Sequence, residues 1–316
     1  MDTSRDEMLA QVASLYYEDG LTQLEISQTL GYSRSSISRL LSEARREGVV
    51  EIHVHHPLER SFTLEQRLHG QFGLKEARIL QSSGLTYSQM LRRLGSLAAR
   101  LLETQISERS ILGISWGTAL FEVVSALPVM HCPGVRVVQI IGSATSRDHL
   151  VDGPGLARAF ARQFGGQYYT LPAPWLVEDK AIRDALLQDR RMREVLDLAC
   201  QANIALVGIG TVEPALSSML RAGYLDETQL REVQASGAVG DVCGLQFDNR
   251  GELLEIPLAG YAFGVDAATL RNIPLVIGVA GGASKAPAIL GALRAGLISA
   301  LVTDDAAVEA VLRETG

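Results

Sequence analysis

Between residues 77 and 303 the chain repeats one pattern: a short, continuously apolar run, then a longer amphipathic stretch. The apolar runs fall at residues 77–81, 110–115, 135–142, 167–171, 204–209, 275–280 and 300–303, with amphipathic stretches at 89–105, 155–164 and 284–295 among those between them. Strands that are apolar throughout, rather than at alternate positions, are buried on both faces. Their alternation with helices predicts an α/β domain with a doubly wound, mostly parallel sheet covered on both sides. Such sheets bind ligands beyond the carboxyl ends of their strands, so the residues just after each run are where function is to be sought.

Those residues are rich in glycine and hydroxyls. SWGT follows the second run, and there Ser115 and Thr118 offer hydroxyls while Gly117 lets a backbone approach a ligand. The helix that follows aims its first amides the same way, which suits an anion and most naturally a phosphate. GSAT, with Gly142 and Ser143, and GIGT, with Gly208 and Gly210, repeat the pattern after two further runs. Asp241, between glycines in VGDVCG, can accept hydrogen bonds from ligand hydroxyls or bond its own turn. Lys285, in AGGASKAPAI, opens a helix, where its charge opposes the helix dipole unless an anion is near. Asn249-Arg250-Gly251 marks a hairpin turn that interrupts the parallel pattern.

The first 57 residues read differently. Ser4 with Glu7 predicts a capped first helix through Met8, Val12, Leu15 and Tyr16. Gly20 then stops it, and Thr22 with Glu25 forms a capping box for a short helix with Leu24, Ile26 and Leu30 as its apolar contacts. Gly31 allows a tight reversal and Ser33 caps a third helix, whose Ile37, Leu40, Leu41 and Ala44 recur on one face. Arg34, Ser35, Ser36 and Arg39 lie near its start. This is the pattern of a helix-turn-helix, with Thr22, Gln23, Ser33, Arg34, Ser35, Ser36 and Arg39 as the expected DNA contacts. The run VVEIHV, with Val50, Ile52 and Val54 on one face, predicts a wing strand. His53, His55 and His56 at its end lack a carboxylate or cysteine at ligand spacing, so no metal is expected. Residues 1–57 thus form a winged DNA-binding domain, and residues 58–316 an effector-binding and oligomerisation domain. Within the second, residues 62–72 form a helix that either links, associates or packs on the sheet.

Formal net charge is -7, so the bulk of the molecule is no nucleic-acid glove, and only the arginines at 34, 39, 45 and 46 form a basic patch. A single copy would bind DNA weakly, which calls for a symmetric oligomer. Hydrophobic residues make up 47%, enough for a large core, yet no apolar run suits a membrane span or signal peptide. Cys132, Cys200 and Cys243 are isolated, and read as small buried residues of a protein in a reducing cytoplasm.

DGLTQLEISQTLGYSRSSISRLLSEARREG, GISWGTAL, ALVGIG, GAVGDVCG, VAGGASKAPAI and ALVTDD together resemble the SorC family of bacterial transcriptional regulators, over nearly the full length. The resemblance implies a cytoplasmic tetramer whose affinity for operator DNA is set by a sugar, usually phosphorylated, bound in a domain similar to phosphosugar isomerases of the glucosamine-phosphate deaminase and ribose-phosphate isomerase type. Carried over by position, the phosphate loop falls on Ser115, Gly117 and Thr118. Further effector contacts fall on Pro172 or Pro174 in LPAPW, on Asp241 and on Lys285. VGDVCG and AGGASK are also similar to regulators answering phosphorylated autoinducer-2. No cofactor is implied. Trp116 and Trp175 have no assigned place, though in the pocket they would shape effector choice. The alternative is a sugar-phosphate isomerase or deaminase with an added N-terminal domain. Such chemistry needs a positioned base, with Asp241 or Asp304 as candidates and Lys285 able to form a Schiff base, but no histidine belongs to a strand-end motif.

Overall fold

A computed structural model describes residues 3–50, 58–143, 152–256 and 261–315. The chain divides into two compact units, residues 1–57 and 58–316.

The smaller unit holds α1 (Thr3–Tyr17), α2 (Gln23–Leu30) and α3 (Arg34–Arg46). α1 begins ahead of Ser4, whose side chain lies outside the described residues. Gly20, at φ 71°, ends the turn after α1. At α2 the capping box is formed in both directions: Glu25 N donates to Thr22 Oγ1 at 3.3 Å, and Thr22 N to Glu25 Oε2 at 2.8 Å. Gly31, left-handed at φ 72°, turns the chain, and Ser33 Oγ accepts from Ser36 N at 3.1 Å to start α3. Leu9, Val12, Ala13, Ile26, Ile37, Leu40, Leu41 and Ala44 bury between the helices. Leu24 is not among them; it is 56% exposed. Two residues from Ile26 is about 200° around a helix, so both cannot face α3. The expected wing at Ile52 and Val54, with His53, His55 and His56, lies outside the described residues.

The larger unit opens with α4 (Phe62–Phe72), which packs on the next strand through Leu68, while Phe62 stays exposed. Then follow β1 (Glu76–Leu80), α5 (Tyr87–Gln105), β2 (Ile111–Ile114), α6 (Thr118–Ala126), β3 (Arg136–Gln139), α7 (Gly153–Phe164), β4 (Gln167–Tyr169) and β5 (Leu176–Val177). After α8 (Lys180–Gln188) and α9 (Arg190–Cys200) come β6 (Ile204–Gly208), β7 (Gly210–Thr211), α10 (Ser218–Arg221), α11 (Glu227–Ala235), β8 (Gly240–Val242), β9 (Leu245–Phe247) and β10 (Leu253–Leu254). The chain closes with β11 (Tyr261–Ala262), α12 (Ala267–Asn272), β12 (Leu275–Val279), α13 (Ala286–Arg294), β13 (Ala300–Asp304) and α14 (Asp305–Arg313).

All seven expected strands join one sheet, in the order β1-β13-β12-β6-β2-β3-β4, and every pairing in it is parallel. Alternate residues of each strand feed opposite cores. Leu112, Ile114, Ile204, Leu206, Ile277 and Val302 meet α5, α6 and α7 on one face. Ile111, Ala205, Val207, Val276 and Leu301 meet α9, α13 and α14 on the other. From β2 the chain runs outward to β3 and β4, and from β6 it runs the other way to β12 and β13. The order therefore reverses between β2 and β6, which opens a crevice at their carboxyl ends.

Beside this sheet stands a four-stranded one, β10-β9-β8-β7, antiparallel throughout. The expected hairpin at Asn249 is its β9–β10 turn, where Asp248 N donates to Glu252 O at 3.1 Å. The cysteines depart from the expected burial: Cys243 is buried, Cys132 half-buried and Cys200 exposed. Cys200 is the last residue of α9, about 200° around the helix from Leu198, which faces the core.

Candidate functional site

A cleft opens at the β2–β6 reversal. One wall is the loop after β2. Gly117 takes φ 123°, which a side chain would strain, and precedes α6 without a side-chain cap. The first amides of α6 have no acceptor within the helix. They form a ready anion site with Thr118 beside them. Ser115 Oγ accepts from Gly208 N at 3.2 Å, which ties this loop to the one after β6.

The opposite wall carries the charges. Gly210 pairs with Asp241 across β7 and β8 so closely that a Cβ there would strike the carboxylate. Asp241 Oδ2 accepts from Gly244 N at 3.0 Å, so the carboxylate bonds its own turn with one oxygen. Burial raises the Asp241 pKa, opposed by the Gly244 amide and by Lys285, and burial also pushes the Cys243 thiol up. Lys285 ends a single 3-10 turn, Ala283–Lys285, and its Nζ donates to Ile209 O at 2.7 Å. Burial lowers its pKa to about 8, although Asp241 works the other way. Arg221, on α10, lines the same cleft and lowers the Lys285 pKa further. Two cations thus share one cleft with one carboxylate, and among the described residues no ion pair consumes them. Lys285, whose charge is largely withdrawn from water, is costly there unless an anion arrives, whereas Arg221 is exposed.

Trp116 and Trp175 both line the cleft, edge to face with ring centres 4.8 Å apart. Trp116 Nε1 donates to Gly142 O at 2.9 Å, and Trp175 also stacks edge-on against Tyr224. They give the cleft an apolar floor of fixed orientation.

Ser115, Gly117, Thr118, Gly208, Gly210, Asp241 and Lys285 therefore come together. Gly142, Ser143, Pro172 and Pro174 do not line this cleft. Gly142 N is taken by Phe263 O at 2.8 Å, and Ser143 exchanges backbone bonds with Ala173 and Trp175. Ser143 Oγ accepts from Gln139 Nε2 at 2.9 Å. The remainder of GSAT lies outside the described residues. Pro172 lines a separate groove with Ile182, Leu186 and Met192, so LPAPW reaches the cleft through its tryptophan, not its prolines. Tyr87, Ser218 and Arg221 belong to the cleft yet carry no sequence signal, since they come from a helix start and a four-residue helix.

On α3, Arg34, Ser35 and Arg39 are exposed and Ser36 is half-buried. Ser33, Ser35 and Ser36 hydroxyls bond one another at 2.8–2.9 Å, and Arg39 Nε reaches back to Ser35 O at 3.4 Å. Thr22 spends its hydroxyl on Glu25 at 2.8 Å, and Gln23 is half-buried. The free surface is thus an arginine and serine face at the start of the helix.

The comparisons with known proteins agree on both units. Residues 56–313 match a sugar-binding domain family and residues 7–47 match sigma-70 region 4. The chain is 29% identical to the deoxyribonucleoside regulator of Bacillus subtilis, covering 99% of this chain and 100% of that one. It is 33% identical to the transcriptional regulator LsrR of an Enterobacter species, covering 99% and 95%. The crystal structure of the full-length sorbitol operon regulator SorC from Klebsiella pneumoniae superposes with a TM-score of 0.75 at 31% identity, covering 99% of both chains.

Proposed function

The chain belongs to the SorC family and is a DNA-binding transcriptional regulator rather than an isomerase or deaminase, and we propose that a phosphorylated sugar bound at the β2–β6 crevice sets its affinity for the operator of a carbohydrate operon. The observation that carries the choice of a phosphorylated effector is the pairing of Lys285 and Arg221 with the uncapped start of α6 in one cleft. A neutral sugar would leave both cations unpaired, whereas a phosphate meets them and the amides together. Asp241 then accepts from sugar hydroxyls, and Trp116 and Trp175 cover an apolar sugar face. Thr118 adds a hydroxyl donor to the phosphate.

In the same reading, Arg34 and Arg39 hold phosphates of the operator while Ser35 reaches a base edge. Ser33 caps the helix, with the Ser36 amide and hydroxyl bonded to its oxygen, and Thr22 with Gln23 starts the helix that crosses the backbone. With so few cations per copy, useful affinity needs several copies on a symmetric site, and the expected assembly is a cytoplasmic homotetramer. The effector acts only through its different affinities for the two arrangements of that assembly.

The test is thermal unfolding of the full-length protein against sugars and their phosphates. A ligand at about a hundred times its dissociation constant stabilises by roughly 2.7 kcal/mol if it binds the folded state alone. Stabilisation by phosphates, and not by their parent sugars, is the expected outcome. Equal stabilisation by both would end the phosphate reading.

A further inference from the structure

The segment ALVTDD takes no part in the cleft, yet its Asp304 is 1% exposed and unusually committed. It stands at the N-cap of α14, where an aspartate ordinarily accepts from an amide of its own helix. Asp304 makes no such bond. Its Oδ1 accepts from Gly282 N at 2.6 Å and its Oδ2 from Ser82 Oγ at 3.2 Å. Ser82 has one hydroxyl proton, which the two carboxylates share: Asp305 Oδ1 stands nearer, at 2.6 Å, and also accepts from the Ser82 amide at 3.1 Å.

Each partner opens onto a different element. Gly282 begins the turn that carries Lys285 into the cleft. Ser82 follows β1, the edge strand, whose outer side is occupied by the first residues of the larger unit. Ser61 N donates to Ile79 O at 2.9 Å and Gln81 N to Glu59 O at 2.8 Å, with Arg60 paired antiparallel to Leu80. Buried Glu65 secures this strap: its Oε1 accepts from Ile79 N at 2.9 Å and from Arg60 Nε at 2.8 Å. From Glu59 the chain leads back, through residues outside the described set, to α3.

We propose that Asp304 and Ser82 are positioning residues that couple the cleft to the strap at residues 59–61. The proposal rests on the cleft being the effector site. The links run along one rim of the sheet, each from the carboxyl end of the next strand. Ile209 after β6 holds Lys285, and Gly282 after β12 holds Asp304 on β13. Asp304, together with its neighbour Asp305, in turn holds Ser82 after β1. A buried carboxylate that loses one donor is left with an unsatisfied oxygen, which costs enough that it follows the donor instead. A ligand that draws Lys285 and its turn toward a phosphate therefore shifts Gly282, then Asp304, then the hold on Ser82 and the strap.

The test is a double-mutant cycle in the full-length protein without ligand. Gly282 takes φ 92°, and a Cβ there would meet Tyr87 and Met90 only at ordinary contact distances of 3.6–3.9 Å, so Gly282→Ala strains the turn without a clash. Hydrogen exchange at the Ser61 and Gln81 amides is the readout. Gly282→Ala is expected to accelerate it at least about tenfold, and in a Ser82→Ala background that response should fall below about twofold. Asp304→Asn keeps an acceptor for Gly282 and an amide for the Ser82 hydroxyl, so it should preserve the response. If Gly282→Ala folds poorly, Lys285→Met perturbs the same turn from its other end. Unchanged exchange in the perturbed protein, or additive effects in the double variant, would overturn the coupling. Failure of every sugar phosphate to bind would instead strike the effector reading, since this cycle uses none.

Discussion

Replacing Lys285 with methionine isolates the charge from the space it fills. Methionine matches the stem in length and flexibility, so the cleft keeps its volume while losing the cation and the 2.7 Å bond to Ile209 O. A hydrogen bond between an ammonium and a phosphate contributes about 1.5–3 kcal/mol. At 1.4 kcal/mol per tenfold, effector affinity should fall roughly 10- to 150-fold. The two cleft tryptophans provide the assay, since quenching of their emission titrates the site directly. Operator affinity without effector should fall less than effector affinity does. The pH dependence sharpens the test. The folded-state pKa of Lys285 is about 8, against an ordinary 10.5. Between these values the unfolded chain holds a proton that the folded one lacks, so this residue makes unliganded stability rise with pH there. Effector affinity should run the other way and decline above about 8, as the charge that meets the phosphate is lost. It should also decline below about 6, where a phosphate monoester takes up its second proton. Both the upper decline and the high-pH gain in stability should vanish in the variant. A dissociation constant within twofold of wild type, or an upper decline that persists undiminished, would remove Lys285 from the site.

Two further outcomes are expected. Arg39→Ala should weaken operator binding about equally across sequences and reduce its salt slope by about 1 in a fluorescence anisotropy titration, while effector-induced stabilisation remains intact; loss of both would contradict the division of labour between the two units. Gly210→Ala should drive a methyl into the Asp241 carboxylate, costing about 1–3 kcal/mol of stability in denaturant titrations and weakening the effector, whereas an unperturbed variant would mean that β7 yields freely.

The parallel sheet was legible because its strands are buried on both faces, so composition alone marks them. Their ends were less so: the third apolar run extends to Gly142, but the strand stops at Gln139 and Ile141 bridges to Gly264 instead. Periodicity cannot distinguish an apolar residue in a ladder from one in a buried crossing. The second sheet was largely illegible, because strands of two or three residues such as Gly210–Thr211 and Gly240–Val242 are too short to show alternation. That sheet brings Asp241 to Gly210, so the motif was visible while its setting was not. GSAT shows the converse: a glycine and hydroxyl loop at a strand end looks the same whether its amides face a ligand or, as for Gly142 and Ser143, other backbone.

A parallel sheet suits a regulator for a reason that lies in the pairing itself. Every carboxyl end falls on one rim, so the loops that line the cleft at β2 and β6 share that rim with the ends of β12, β13 and β1. An antiparallel sheet would put alternate strand ends on the far side and break any such sequence of contacts after one strand. Here the side chains that link neighbouring ends, Lys285, Asp304 and Ser82, are all polar and each spends its bonds on the adjacent strand end. A packed core is bistable rather than continuously deformable, but a rim of hydrogen bonds exchanges partners at modest cost. A signal from the crevice to the edge strand therefore travels most cheaply along the rim, with the core of the sheet left as it is.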